Sequence, residues 1–209
     1  MFDRSAITPG RTIQEFGLCD LKGVYQNTTR LRSKGWLVVF FFKVDDEYSA
    51  SVAATLGGWA AELPADRVSL LGVASGDRTA LTNAAASLDI KFPVVWDPED
   101  YVAGTWGINA LPAVFVSDAR GKVLARIAGD DQPALEAAKS SLSESVRKAI
   151  EAAAKAAEEA AKAAAPAAVT PPAPAPPIST APVPAPSTNP AAAGSAVKEP
   201  KKRANKKKE

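Results

Sequence analysis

Hydrophobic and polar positions alternate between two periods along the first three quarters of the chain. The run Trp36–Val44 is apolar on both faces for nearly its whole length, which predicts a central strand covered on both sides. Val68–Ser75 is a second near-continuous apolar strand, and Phe92–Trp96 a short third one. Ala113–Val116 and Lys122–Ile127 predict two more strands joined by Asp118-Ala-Arg-Gly121, a turn whose glycine supplies positive φ. Nearer the N-terminus, within a polar, turn-rich stretch, Phe16 and Leu18 alternate with Gly17 and Cys19. That is a weaker strand signal, closed by Lys22-Gly23.

Between these strands the period becomes helical. Val52, Leu56, Trp59, Ala60 and Leu63 recur on one face of a helix over 47–63, which Pro64 ends. Asp77 is placed to cap a helix over 78–88 with Ala80, Leu81, Ala84, Ala85 and Leu88 on one side. Glu99–Trp106 predicts a short helix stopped by Gly107. Asp131 opens the last helix, with Pro133 in its first turn. The four tryptophans, 36, 59, 96 and 106, fall on predicted core faces. The order β-α-β-α-β-α-β-β-α predicts an α/β fold: a central mixed, mostly parallel sheet flanked by helices, with the terminal hairpin adding an antiparallel edge.

The last helix does not stop where the domain should. Residues 151–165 are alanine with Glu and Lys at spacings of three or four, a sequence of high helix propensity with supporting charge pairs. It offers little large apolar surface and is expected to project as a semi-rigid spacer. At ~1.5 Å per residue, a helix over 132–165 would reach roughly 50 Å. Residues 166–200 then hold 11 of the 17 prolines, a composition that cannot build a core and implies disorder with polyproline II bias. The expected organisation is a domain at 1–150, a helical extension at 151–165, a Pro/Ala-rich disordered linker at 166–197 and a basic tail at 198–209.

Charge follows the same division. The net charge of +2 conceals −3 over residues 1–165, none over 166–197 and +5 over 198–209. The tail's Lys201, Lys202, Arg203, Lys206, Lys207 and Lys208 admit three readings: a solubilising tip, salt-sensitive contact with nucleic acid, or attachment to an acidic protein or membrane surface.

The chain has no histidine and a single cysteine. Ser-His-Asp and Cys-His catalysis are therefore excluded within it, and so is an intramolecular disulfide. Asp45-Asp46-Glu47 precedes a helix, where carboxylates complement the helix dipole. No metal site and no cofactor are expected. The N-terminus shows no basic region followed by an apolar one, and no apolar run approaches the ~18 residues of a membrane span, so a soluble, cytoplasmic protein is expected.

Taken in order, several segments resemble the redoxin group of thioredoxin-like proteins, namely the alkyl hydroperoxide reductase/thiol-specific antioxidant family (peroxiredoxins) and related thiol-disulfide reductases. Phe16-Gly-Leu-Cys-Asp-Leu-Lys-Gly23 is similar to the family's opening hairpin. Lys34–Phe42 is similar to the strand before the active site, and Val68–Ser75 to a further core strand. Phe92-Pro-Val-Val-Trp-Asp97, Ala103–Gly107 and Leu111-Pro-Ala-Val-Phe-Val-Ser-Asp118 followed by Gly121-Lys-Val continue the match. The resemblance spans Phe16–Gly129 and implies a thioredoxin-like fold with Pro112 as the cis proline beside the active-site turn. The tail has no counterpart.

At the reaction centre the chain departs from that pattern. The resemblance places Asp46-Glu47-Tyr48-Ser49 over C-x-x-C, and a peroxidatic nucleophile at Ser49 or Ala50. A serine hydroxyl without a base is a poor substitute for a thiolate. The activating arginine has no match either, because Leu111-Pro112 lies where it would sit. Cys19 is the candidate for a relocated nucleophile; the alternative is a semi-buried small residue. Two functions follow. The first is a redox-inactive scaffold that grips a protein or peptide at the degenerate turn, with the basic tail as tether to nucleic acid or another polyanion. The second is an antioxidant or thiol-disulfide oxidoreductase using Cys19 and an external thiol.

Overall fold

A computed structural model describes residues 7–163. Five strands form one sheet in the order β5-β4-β3-β6-β7: β3 (Trp36–Phe42), β4 (Val68–Ala74), β5 (Val94–Trp96), β6 (Ala113–Asp118) and β7 (Val123–Ala128). A separate hairpin, β1 (Gly17–Cys19) with β2 (Tyr25–Asn27), lies beside β5 through an isolated bridge from Asp20 to Val95. The helices are α1 (Thr28–Arg32), α2 (Glu47–Glu62), α3 (Arg78–Ser87), α4 (Tyr101–Thr105) and α5 (Gln132–Ala163). The predicted thioredoxin-like α/β architecture is the one found.

Side-chain alternation along β3 builds two cores. Val38, Phe40 and Phe42 point to one face and pack with Val52, Leu56 and Trp59 of α2, Leu81 of α3, and Leu135 and Leu142 of α5. Leu37, Val39 and Phe41 point to the other and meet Trp106, Phe115, Val102 and the incoming Ile7 and Ile13. This two-sided burial is why the strand reads as continuously apolar. All four tryptophans pack against these cores: Trp59 and Trp106 are buried, Trp36 and Trp96 half-buried.

The sheet is mixed in a way the sequence pattern understated. β3 pairs in parallel with β4, and β4 with β5. β6 is antiparallel to β3, and β7 antiparallel to β6. The hairpin therefore supplies an inner strand as well as an edge. Ala113-Val-Phe-Val116 is buried on both faces and belongs inside, whereas β7 exposes Leu124 and Ala128 while burying Val123 and Ile127, as an edge strand does. The pattern also missed α1, a five-residue helix capped by Asn27, whose side chain accepts from the N–H groups of Thr29 and Arg30.

α5 runs through the expected extension to Ala163, the last described residue. Its 32 residues correspond to a length of about 48 Å. Leu135, Ala138, Leu142 and Val146 are buried, and Glu151–Ala160 are exposed. The linker and the basic residues Lys201, Lys202, Arg203, Lys206, Lys207 and Lys208 lie outside the described residues. Among the described residues no helix is long and apolar enough to cross a membrane.

Candidate functional site

The turn between β3 and α2 is built as a helix cap. After Phe42 the chain turns through Asp45, which adopts a left-handed backbone at φ 62°, a conformation Asp tolerates because its short side chain bonds locally. Asp46 is the N-cap of α2: its carboxylate accepts from the Ser49 N–H at 2.7 Å and from the Ser49 hydroxyl at 2.6 Å. The same hydroxyl accepts from the Lys43 N–H at 3.3 Å. Ser49 has 0% exposure, so the side chain at the expected nucleophile position is sealed beneath the first helical turn with its hydroxyl engaged. Glu47 and Tyr48 point to solvent, and Ala50 is half-buried.

Pro112 lies beside this turn. The last ladder pair between β3 and β6 joins Phe41 to Ala113, so Pro112 comes alongside the end of β3. The Leu111–Pro112 bond is cis, and the Pro112 carbonyl accepts from the Gly129 N–H at 2.8 Å. Leu111 is partly exposed, and with Phe42, Ser75 and Asp100 it lines a narrow depression at the strand ends. The third side of the site is the loop after β5. There the buried Asp97 carboxylate accepts from the N–H groups of Tyr101, Val102 and Ala103 and so orders α4, a capping role that sequence reading had not assigned. Its signal was present as an aspartate at the end of a strand and four residues ahead of a helix.

Cys19 is elsewhere. It lies on β1 opposite Tyr25, and β5 and β4 intervene between its hairpin and β3. The semi-buried alternative is corrected, because Cys19 is exposed: it sits on a three-residue strand that pairs only with β2, and its neighbour Asp20 takes the inward position. Asp20 accepts from the N–H groups of Lys22 and Val24 and from Gln26 Nε2, which closes the hairpin. The structure thus brings together Asp46, Glu47, Tyr48, Ser49 and Pro112 and leaves Cys19 apart.

One further feature adjoins the turn. An open cleft of about 540 Å³ separates the start of α2 from α3, with Val44, Ala50, Ala84 and Leu88 along its walls and Lys43, Asp45 and Glu47 at its rim. It exists because α3 presents alanines here and buries one side chain fully, Leu81. Among the described residues no three Asp, Glu or Cys side chains converge as metal ligands.

Comparison with known proteins bears on this geometry. The sequence profile described as the AhpC/TSA family matches residues 9–126. The chain is 27% identical over 142 residues to the thiol-disulfide oxidoreductase ResA of Geobacillus thermodenitrificans, an alignment covering 61% of this chain and 73% of that one. Among solved structures it is similar to peroxidoxin BcpB of Mycobacterium tuberculosis (TM-score 0.55, 24% identity, 62% of this chain and 95% of that one). It is also similar to the thioredoxin domain of a thiol-disulfide oxidoreductase from Bacteroides vulgatus (TM-score 0.53, 18% identity, 60% and 93%). At these identities the structural likeness speaks to fold.

Proposed function

The chain belongs to the AhpC/TSA family, and from that premise we propose that it is a member whose reaction centre has become a binding surface. The observation that carries this reading is the engagement of Ser49. Its hydroxyl is buried at 0% exposure, donates to the Asp46 carboxylate and accepts from the Lys43 N–H, so the position that would hold a family nucleophile is closed to substrate and has a structural task. What remains exposed at this end, Tyr48, Glu47 and Leu111 beside Pro112, suits the grip of an extended polypeptide. In this reading residues 1–150 are the binding domain, 151–165 a spacer, 166–197 a linker, and 198–209 a tether whose Lys201, Lys202, Arg203, Lys206, Lys207 and Lys208 hold a polyanion such as nucleic acid by counterion release.

A second reading keeps the oxidoreductase chemistry of relatives and assigns it to Cys19 with an external thiol. The exposure of Cys19 favours it, since a thiol must be reachable to attack peroxide or a disulfide. Peroxide consumption with an added thiol, measured on wild type and Cys19→Ser, separates the two. Equal background rates support the binding module; turnover that Cys19→Ser abolishes overturns it. For the tether, DNA binding by wild type that is lost on deletion of 198–209 supports the assignment, and binding that persists removes it.

A further inference from the structure

β3, β4, β5 and β7 run in one direction, so their C-terminal ends and the start of β6 meet at one end of the sheet. The connecting segments there, 43–46, 75–77, 97–100, 106–112 and 129–131, contain eight carboxylates and one cation, Lys43. The segments at the opposite end, 33–35, 63–67, 88–93 and 119–122, contain five cations and two carboxylates. The domain is therefore electrically polarised along its strands.

Helix capping accounts for half of the acidic end. Asp46, Asp77, Asp97 and Asp131 each accept from N–H groups in the first turn of α2, α3, α4 and α5. This follows from topology, because each connection from a strand of the five-stranded sheet to a helix places an N-cap at this end. Asp45, Glu99, Asp100 and Asp130 are not explained in that way, nor is Glu47 on the first turn of α2. Asp45, Glu47, Glu99 and Asp100 are exposed. Among them stand Tyr48 at 62% exposure and Tyr101 at 68%, aromatic faces open to solvent next to carboxylates.

We infer that the cleft between α2 and α3 seats an extended lysine- or arginine-rich segment of a partner polypeptide, an inference that rests on the binding-module reading above. The cleft has the size and mixed lining of a recognition groove, with apolar walls at Val44, Ala84 and Leu88 to accept aliphatic stems. Charge complementarity selects the occupant: Asp45, Asp46 and Glu47 outnumber Lys43, the one cation in the lining, and the carboxylates at the rim pair with ammonium or guanidinium heads. A metal ion is the poorer fit, since the rim carboxylates do not converge.

The test is fluorescence anisotropy on the full chain with two short labelled peptides of equal length, one alternating lysine and alanine, the other serine and alanine. Three proteins are compared: wild type, Asp45→Asn/Glu47→Gln, and Ala84→Phe to fill the cleft, with circular dichroism to verify the fold of each. Asn tolerates the left-handed backbone at position 45, and Asp46 is left in place to cap α2. The lysine peptide is expected to bind more tightly than the serine peptide, and to weaken about tenfold in the charge variant at low salt. It should weaken at least as much in the filled variant. Equal binding of the lysine peptide to wild type and the charge variant overturns the inference. If the serine peptide binds as well as the lysine peptide and Ala84→Phe blocks both, the basic-partner inference fails while the binding module stands. If neither peptide binds, the basic-partner inference fails, while the binding-module reading is decided by the peroxide assay on wild type and Cys19→Ser.

Discussion

The Ser49 hydroxyl donates to the Asp46 carboxylate at 2.6 Å, and the Ser49 N–H donates to the same oxygen at 2.7 Å. One carboxylate oxygen thus secures the first turn of α2 twice, at the position that the family resemblance assigns to the nucleophile. Asp46→Ala removes the cap and leaves a buried hydroxyl short of its partner, so it should cost about 1–2 kcal/mol, and Asp46→Asn a fraction of that. Urea unfolding of the three proteins with a common m-value measures the difference; an unchanged midpoint for Asp46→Ala would show that the cap contributes nothing.

Leu81 is the one fully buried side chain of α3, whereas Ala84, Ala85 and Leu88 are only half-buried. Leu81→Ala should cost about 2–5 kcal/mol through lost transfer energy and the cavity left behind. Hydrogen exchange should show protection falling first in 78–88, the wall of the cleft. A uniform loss over the whole domain would mean that α3 is held by more than this side chain.

The tip of α5 should be dispensable for domain stability. Glu151–Ala160 are exposed, and the last buried anchor is Val146. A chain ending at residue 150 is expected to melt within about 1 °C of the full chain, because surface residues away from packing contribute little. A large drop would place a contact of the domain on the removed segment.

Glu15 and Glu144 each add a small contribution to the acid response. Hydrogen bonds from Thr29 and then Arg32 hold the Glu15 carboxyl below its ordinary 4.5, and Lys148 does the same for Glu144. The folded value lies below the unfolded one, so the stability involved is complete above about pH 4.5 and is lost as pH falls through the folded values. At the other extreme a hydrogen bond to Glu62 raises Lys139 above 10.5, a contribution present below that pH and lost as it rises through the folded value. These are surface contacts and the effects should be small. Thermal melts of wild type and Glu15→Gln should differ at about pH 6 and converge as the pH falls through the lowered Glu15 value; a gap that does not narrow in acid would assign the effect to packing.

Cys19 should be labelled completely by a maleimide in the native chain, without denaturant, because it is exposed on a short hairpin. Cys19→Ser should leave stability within about 0.5 kcal/mol of wild type. Labelling that requires denaturant would contradict the hairpin placement.

Much of this was readable in the chain because it is local. Strand and helix order followed from period, since Trp36–Phe42 is apolar on both faces while Val52, Leu56 and Trp59 recur on one. The capping aspartates 77 and 131 announced their helices, and the lack of histidine and of a second cysteine removed whole classes of chemistry before any fold was drawn. What depended on residues distant in sequence was not readable. The insertion of β6 beside β3, the exposure of Cys19 and the gathering of carboxylates at one end of the sheet all depend on which strand lies next to which. Period tells a residue which side of its own element it occupies; strand pairing decides what that side faces, and pairing energy is shared among residues far apart along the chain.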